Sequence, residues 1–242
     1  MQEWKIAYVN NREVPVLISD EREALLAAKA AGRALIGLWR PEQAMDEISA
    51  AKYVVENMED VTEEYLERIA RRHLGLPWRI CETERLVIRE MFADDFDKVW
   101  ENQIGLGFGS VEELEAYTKH QYTFYEFGFW ALLEKETGEL VGVAGLKVPD
   151  EVNEERMELW TWKPQVSIVE TQPDEESGET LELGYHVFRR HRRKGYAEEA
   201  CRAILRYGTE ELGVSDVIAR IEKENMISKE FAKKLGFSCT EI

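Results

Sequence analysis

The sequence is most informative first in what it lacks. No apolar run approaches the roughly 20 residues that a bilayer-spanning helix requires, so no membrane partner is expected. Cysteine is sparse. Cys81, Cys201 and Cys239 form an odd set without the paired spacing of a metal site, which points to free thiols, a reducing compartment and no bound metal. Basic charge is in deficit: 48 Asp and Glu stand against 31 Lys and Arg, a formal net charge of −17, which argues against nucleic acid as a partner. Met1-Gln2-Glu3-Trp4-Lys5 does not open a signal peptide, and there is no internal repeat or low-complexity tract. What is there, 44% hydrophobic and 33% charged residues in a chain of 242, is too apolar for disorder. A globular, cytoplasmic protein of one large or two modest domains is expected.

The chain divides at His73-Leu74-Gly75-Leu76-Pro77-Trp78, where Gly and Pro follow a helical pattern. Residues 1–78 are expected to form a small domain and residues 79–242 a larger one. Most of the acidity belongs to the second: residues 1–80 hold 14 acidic and 11 basic side chains, the remainder 34 and 20. In the first part residues 14–18, 34–38 and 52–55 read as strands. Residues 21–31, closed by Gly32, and residues 62–73 read as helices. Strands alternating with helices imply a small parallel-sheet α/β unit. That order resembles the C-terminal half of haloacid-dehalogenase-like domains. The Asp-x-Asp nucleophile motif of such phosphatases is missing from the strand-like start Lys5-Ile6-Ala7-Tyr8-Val9, so a structural or interaction role is expected for this unit.

In the second part residues 83–89 read as a strand, and residues 94–101 and 111–125 as helices. Two strands, 129–133 and 140–146, flank Glu134-Lys135-Glu136-Thr137-Gly138-Glu139, whose Gly suits a tight hairpin turn. Residues 150–182 carry 11 acidic and 2 basic side chains and read as a long solvated insertion, with Trp160 and Trp162 packed onto something.

The chemistry concentrates beyond it. Leu181-Glu182-Leu183-Gly184-Tyr185-His186-Val187 alternates strictly, placing Leu181, Leu183, Tyr185 and Val187 on one face and Glu182, Gly184 and His186 on the other. A basic turn, Arg189-Arg190-His191-Arg192-Arg193-Lys194, then leads through Gly195 into a helix striped by Ala197, Ala200, Cys201, Ile204 and Leu205. Glu198 and Glu199 in its first turn suit the helix dipole. A strand running through a glycine turn into a helix start makes an anion site. The first N–H groups have no intrahelical acceptor, the dipole adds positive potential, and a residue without a side chain lets a phosphate approach the backbone. The alternative is a solvated basic loop before an ordinary surface helix.

Arg192-Arg193-Lys194-Gly195-Tyr196-Ala197 matches the acyl-CoA signature Arg/Gln-x-x-Gly-x-Gly/Ala, and here the sequence resembles the GNAT acetyltransferase superfamily. Thr83-Glu84-Arg85-Leu86-Val87-Ile88-Arg89 resembles the family's first strand. The strand Val217-Ile218-Ala219-Arg220-Ile221, then Asn225-x-x-Ser228, Phe231, Ala232 and Leu235-Gly236-Phe237, resemble the branch that acetylates ribosomal-protein N-termini and related amines. The resemblance covers residues 83–242. It implies an α+β fold for residues 79–242, a mixed and mostly antiparallel sheet flanked by helices, beside the small N-terminal α/β unit.

It also implies acetyl-CoA as cosubstrate, no metal, and roles for particular residues. The amides of Arg192, Arg193, Lys194, Gly195, Tyr196 and Ala197 would hold the diphosphate, and Val187 and Phe188 would lie against the pantetheine arm. Asn225 would stand near that arm; it is equally a good N-cap for the helix that follows. A neutral amine attacks the thioester, so a base must take a proton from an amine of pKa near 10. Glu182 lies near where many relatives carry that base and shares a face with His186; the alternatives are a solvent-facing carboxylate and a structural histidine. The helix-borne Tyr that helps thiolate departure in many relatives is replaced by Ala232, so Ser228 is the expected donor, or else a capping residue only.

The expected acceptor is a primary amine of a small molecule or a peptide. Net acidity fits a cationic acceptor by steering, or merely keeps the protein soluble. Tyr117, Tyr122, Tyr125 and Trp130 would line an acceptor cleft or sit in the core. The expected activity is acetyl transfer to nitrogen, the alternatives being a non-catalytic acyl-CoA sensor and an interaction module; a homodimer is compatible with each.

Overall fold

The structure is a computed structural model and describes residues 1–102, 104–150, 156–164 and 180–240. It divides into two compact units, Met1–Trp78 with Glu115–Glu126, and Arg79–Leu114 with Phe127–Ile242.

In the first unit β1 (Gln2–Val9) and β2 (Arg12–Ser19) form an antiparallel hairpin, while β3 (Ala34–Leu38) and β4 (Val54–Val55) run parallel to β2, in the order β1-β2-β3-β4. The expected all-parallel unit is therefore mixed. Its antiparallel edge follows from Asn10-Asn11, which closes the turn in two residues at φ 50° and 63°. Positive φ at both central positions is the type I′ turn that matches strand twist, and Asn tolerates it. A parallel pair would have needed a crossover of a dozen or more residues. Helix α1 (Arg22–Ala30) provides that crossover between β2 and β3. Helix α2 (Glu63–His73) begins where the Tyr65 N–H donates to the Thr62 hydroxyl at 3.1 Å. One sheet face, with Ala7, Val9, Val16, Ile18, Ile36 and Leu38, packs on Leu66, Ile69 and Ala70 of α2. A separate cluster places Leu25 of α1 with Ile48, Ala50 and Ala51, and Leu35 of β3 packs against it.

The second unit is built on β5 (Arg79–Glu82), β6 (Leu86–Glu90), β7 (Phe129–Glu134), β8 (Leu140–Lys147), β9 (Met157–Trp162), β10 (Thr180–Val187), β11 (Asp216–Glu222) and β12 (Ser238–Thr240), in the order β12-β9-β11-β10-β8-β7-β6-β5. Helices α3 (Phe96–Glu101), α5 (Tyr196–Glu210) and α6 (Met226–Leu235) accompany it. Helix α4 (Val111–Phe124) straddles the division, its part from Glu115 onward grouping with the first unit. All neighbouring strands are antiparallel except β10 and β11. β8 is buried from Leu140 to Leu146, as a central strand covered on both faces must be. α5 packs on β8 and β10, burying Ala200, Cys201, Ile204 and Leu205. Burial pushes the Cys201 thiol up, and among the described residues all three cysteines are free.

The expected solvated insertion is corrected in part. Met157–Trp162 is a sheet strand between β11 and β12, with Trp160 only 4% exposed and Glu158 paired to Lys229 at 2.6 Å. The acidic composition of this stretch hid its strand character. The rest of that expectation, 151–155 and 165–179, lies outside the described residues. Tyr122 and Trp130 are buried side chains, each in its own unit.

One departure from regular pairing matters for function. β10 and β11 pair only from Thr180↔Asp216 to Glu182↔Ile218. Beyond that β10 stays bonded to β8 as far as Val187, and β11 to β9 as far as Glu222. The two strands part and leave a wedge in the sheet.

Candidate functional site

The wedge opens beside the start of α5. Gly195 immediately precedes the helix, exposed, in the left-handed region at φ 86°. Any residue with a side chain would pay about 1–2 kcal/mol there. Among the described residues the amides of Lys194, Gly195, Tyr196, Ala197 and Glu198 donate to no protein acceptor, and the first bond of the helix runs from the Glu199 N–H to the Gly195 carbonyl at 3.1 Å. A row of unused donors thus stands at the positive end of a 15-residue helix, with Arg192, Arg193 and Lys194 exposed around it. This is the chemistry of an oxyanion or phosphate cradle.

The cradle is braced from far along the chain. Glu199, in the first turn of α5, accepts from the Thr83 hydroxyl at 2.5 Å, the Arg85 N–H at 2.7 Å and the Arg85 Nε at 2.7 Å. Burial works to raise its carboxyl, but these bonds outweigh burial and hold it below the usual carboxylate range. Arg85 also donates from Nη1 to the Lys194 carbonyl at 2.9 Å and lies over the Tyr196 ring, 4.8 Å from its centroid. Its Nη2 would stand 3.2 Å from a Cβ placed on Gly195. Tyr196 itself is buried, its hydroxyl donating to Glu134, and that bond first, then burial, raises its phenol.

The wedge is a cleft of about 280 Å³ between β10 and β11, walled on a third side by α6. Glu182, Leu183, Gly184 and Tyr185 line one side and Ala219, Arg220 and Ile221 the other, with Asn225, Ser228, Phe231 and Ala232 from α6 and its cap. Gly184 is required here because a Cβ would fall 2.6 Å from the Phe129 ring. The Glu182 Oε2 is buried and accepts no hydrogen bond; Lys147 Nζ and Arg220 Nη1 each stand 3.6 Å away, beyond bonding range. Burial raises the Tyr185 phenol, partly offset by the Ser228 hydroxyl beside it, and the Tyr185 ring packs on Phe231 at 4.8 Å.

The structure thus gathers Glu182, Asn225 and Ser228 on one cleft, and the Lys194–Ala197 cradle follows in the chain from the end of β10. Asn225 caps α6, its Oδ1 accepting the Ser228 N–H at 3.1 Å, and lines the cleft as well. Val187 and Phe188 are placed differently, with 8% and 1% exposure, in the core rather than on the cleft wall. His186 does not line the cleft, and its Nε2 stands 3.5 Å from an Arg192 nitrogen; burial first, then Arg192, lowers its pKa. Arg192 is tied down by its Nε–H to the Val187 carbonyl at 3.0 Å, and Arg193 has φ 62°. Sequence reasoning missed Arg85, Lys147, Arg220 and Tyr185. The alternation of β10 set Tyr185 only on the strand face opposite Glu182, and nothing local signals that Thr83 and Arg85 meet Glu199 over 110 residues away. Among the described residues no cluster of His, Cys, Asp or Glu is arranged to hold a metal.

The chain is 31% identical over 112 residues to the uncharacterized protein YkkB of Bacillus subtilis, covering 46% of this chain and 51% of that one. It is 28% identical over 111 residues to the uncharacterized N-acetyltransferase YjdG of the same organism, again covering 46% and 51%. The chain therefore spans about half the length of these curated relatives. A putative GnaT-family acetyltransferase from Bordetella pertussis superposes with a TM-score of 0.48 at 22% identity, over 66% of this chain and 89% of that one. The family model for the acetyltransferase (GNAT) domain matches residues 77–238, which takes in the braced strand, the cleft and the cradle. The chain belongs to the GNAT acetyltransferase family.

Proposed function

We propose that this protein is an acetyl-CoA-dependent N-acetyltransferase that acetylates a primary amine by direct attack on the thioester. The observation that carries the reading is the row of unused amides from Lys194 to Glu198 at the start of α5, which follows the strand that parts from β11. The residues present fit the cosubstrate. The amides and the exposed Arg193 and Lys194 suit a diphosphate, and the unpaired edge of β10 offers backbone groups to an amide-bearing arm. Acetyl-CoA supplies an activated acyl thioester.

The chain supplies the rest. Glu182 Oε2 keeps a free lone pair in a buried position and takes a proton from the amine as the N–C bond forms and the C–S bond breaks. Ser228, which lines the cleft with Tyr185 beside it, gives the departing sulfur its proton. Asn225 holds the start of α6 and with it the position of Ser228. Residues 79–242 carry this chemistry, and residues 1–78 form an appended unit. The acceptor is a cationic amine of a small molecule or a peptide N-terminus, drawn by the acidity of the chain.

The test follows free thiol while acetyl-CoA is incubated with a panel of amines. Amine-dependent thiol release, reduced about 100-fold or more in kcat by Glu182→Gln, is the expected result. One observation favours a second reading, an acyl-CoA sensor without turnover: Ala232, 3% exposed, stands where many relatives place an acid. Tight CoA binding with no thiol release on any amine would establish the sensor instead.

A further inference from the structure

Among the described residues, no strand pairs with the outer edge of the first unit's sheet. β1 is the outer strand of its sheet, eight residues long, paired along its whole length with β2 without a bulge, and free of proline. Ala7 and Val9 point into the α2 core. The opposite face presents Trp4, Ile6 and Tyr8 at 53%, 50% and 64% exposure, because α1 packs on β2 and β3 and stops short of β1. Proteins ordinarily blunt such an edge with proline, a bulge, a short strand or charges along it. Of these devices β1 uses almost none, since Lys5 turns inward to donate to the Val61 carbonyl at 3.4 Å.

We infer that β1 pairs antiparallel with β1 of a second copy of this chain, about a twofold axis at Ile6. The stripe is its own complement: aromatic, Ile, aromatic at alternate positions reads the same in both directions. Centred on Ile6, Trp4 lies opposite the second copy's Tyr8, Ile6 opposite Ile6, and Lys5 opposite Ala7. These are the aromatic and β-branched cross-strand pairs that stabilise sheets. A register centred on Lys5 would set two ammonium groups face to face, and one centred on Trp4 would leave Tyr8 unpaired. The pairing also closes. The other edge of the sheet, β4, is only two residues long, so two copies join without growing into a fibre.

Sedimentation velocity on the full chain, from about 1 to 200 µM to span the weak end of strand-mediated association, should show a monomer–dimer equilibrium. Ile6→Lys, at a half-exposed position where the long aliphatic stem of lysine keeps most of the buried contact, should abolish the dimer while circular dichroism and melting stay close to those of the parent. In a Cys239→Ser background, chosen because Cys239 is exposed, mild oxidation should cross-link Ile6→Cys to itself. It should cross-link Trp4→Cys only when mixed with Tyr8→Cys. A chain monomeric throughout the range overturns the inference, as does a dimer that survives Ile6→Lys. Self-linking of Trp4→Cys as fast as Ile6→Cys overturns it too.

Discussion

Gly195 joins two demands that are separable by mutation. Its φ of 86° excludes an ordinary side chain at low cost, and a Cβ would meet Arg85 Nη2 at 3.2 Å, the movable end of a long side chain. Gly195→Ala is therefore expected to fold, with about 1–2 kcal/mol of strain in the turn. Displacing the amides should raise the KM for acetyl-CoA about tenfold and leave kcat at saturation within about twofold; steady-state kinetics at fixed amine reads both. At this scale the sequence was legible where chemistry is local. Gly195, Tyr196 and Ala197 announce the cradle because a glycine between a strand and a helix has few other uses. Glu182 was legible as a face of an alternating strand. Lys147 and Arg220, which flank it from two other strands, were not, since strand adjacency across β8, β10 and β11 is no property of any one segment.

Between elements, a brace runs from the loop before β6 to the first turn of α5. Glu199 accepts four contacts from Thr83 and Arg85, and Arg85 also holds the Lys194 carbonyl. Arg85→Met removes the ion pair, the carbonyl bond and the contact over Tyr196 together. The expected outcome is a KM for acetyl-CoA raised about tenfold with kcat little changed, and partial recovery in Arg85→Lys, which restores charge but not the bidentate fork. Loss of kcat with unchanged KM would show that the brace does not serve the cradle. The hairpin of β1 and β2 and the strand β9 show why element reading fell short. Asn10-Asn11 is a weaker hairpin sign than Asn-Gly, and β9 carries Glu158 inside a run of acids although that carboxylate is paired with Lys229.

Across the molecule, His73, His186 and His191 all titrate below the ordinary 6.5, burial being the first cause in each. A histidine with a lowered folded pKa binds its proton more weakly folded than unfolded. Its contribution to stability is complete above about pH 6.5 and is lost as pH falls below that through the folded value. Thermal unfolding should accordingly show Tm level from pH 8 to 7 and falling between pH 6.5 and 5, above the range where the paired carboxylates begin to protonate. His191→Phe, at a site 5% exposed, should flatten part of that fall. The fold class of residues 79–242 was legible at this scale through the family resemblance that Arg192–Ala197 and the flanking strands carry, whereas the division of α4 between the two units was not, because Glu115–Glu126 joins the first unit through Tyr53, Arg68 and Arg72.

The parting of β10 from β11 after three residue pairs has a consequence of its own. A sheet interrupted along one seam cannot be fully cooperative there, because among the described residues the facing edges of β10 and β11 have no strand partner along the open stretch. An arm bonded along Leu183–Val187 would act as a substitute strand, so occupancy and rigidity rise together. The cosubstrate would then be part of what keeps the domain in one piece, and the acceptor would meet a mechanically different protein from the one the cosubstrate entered.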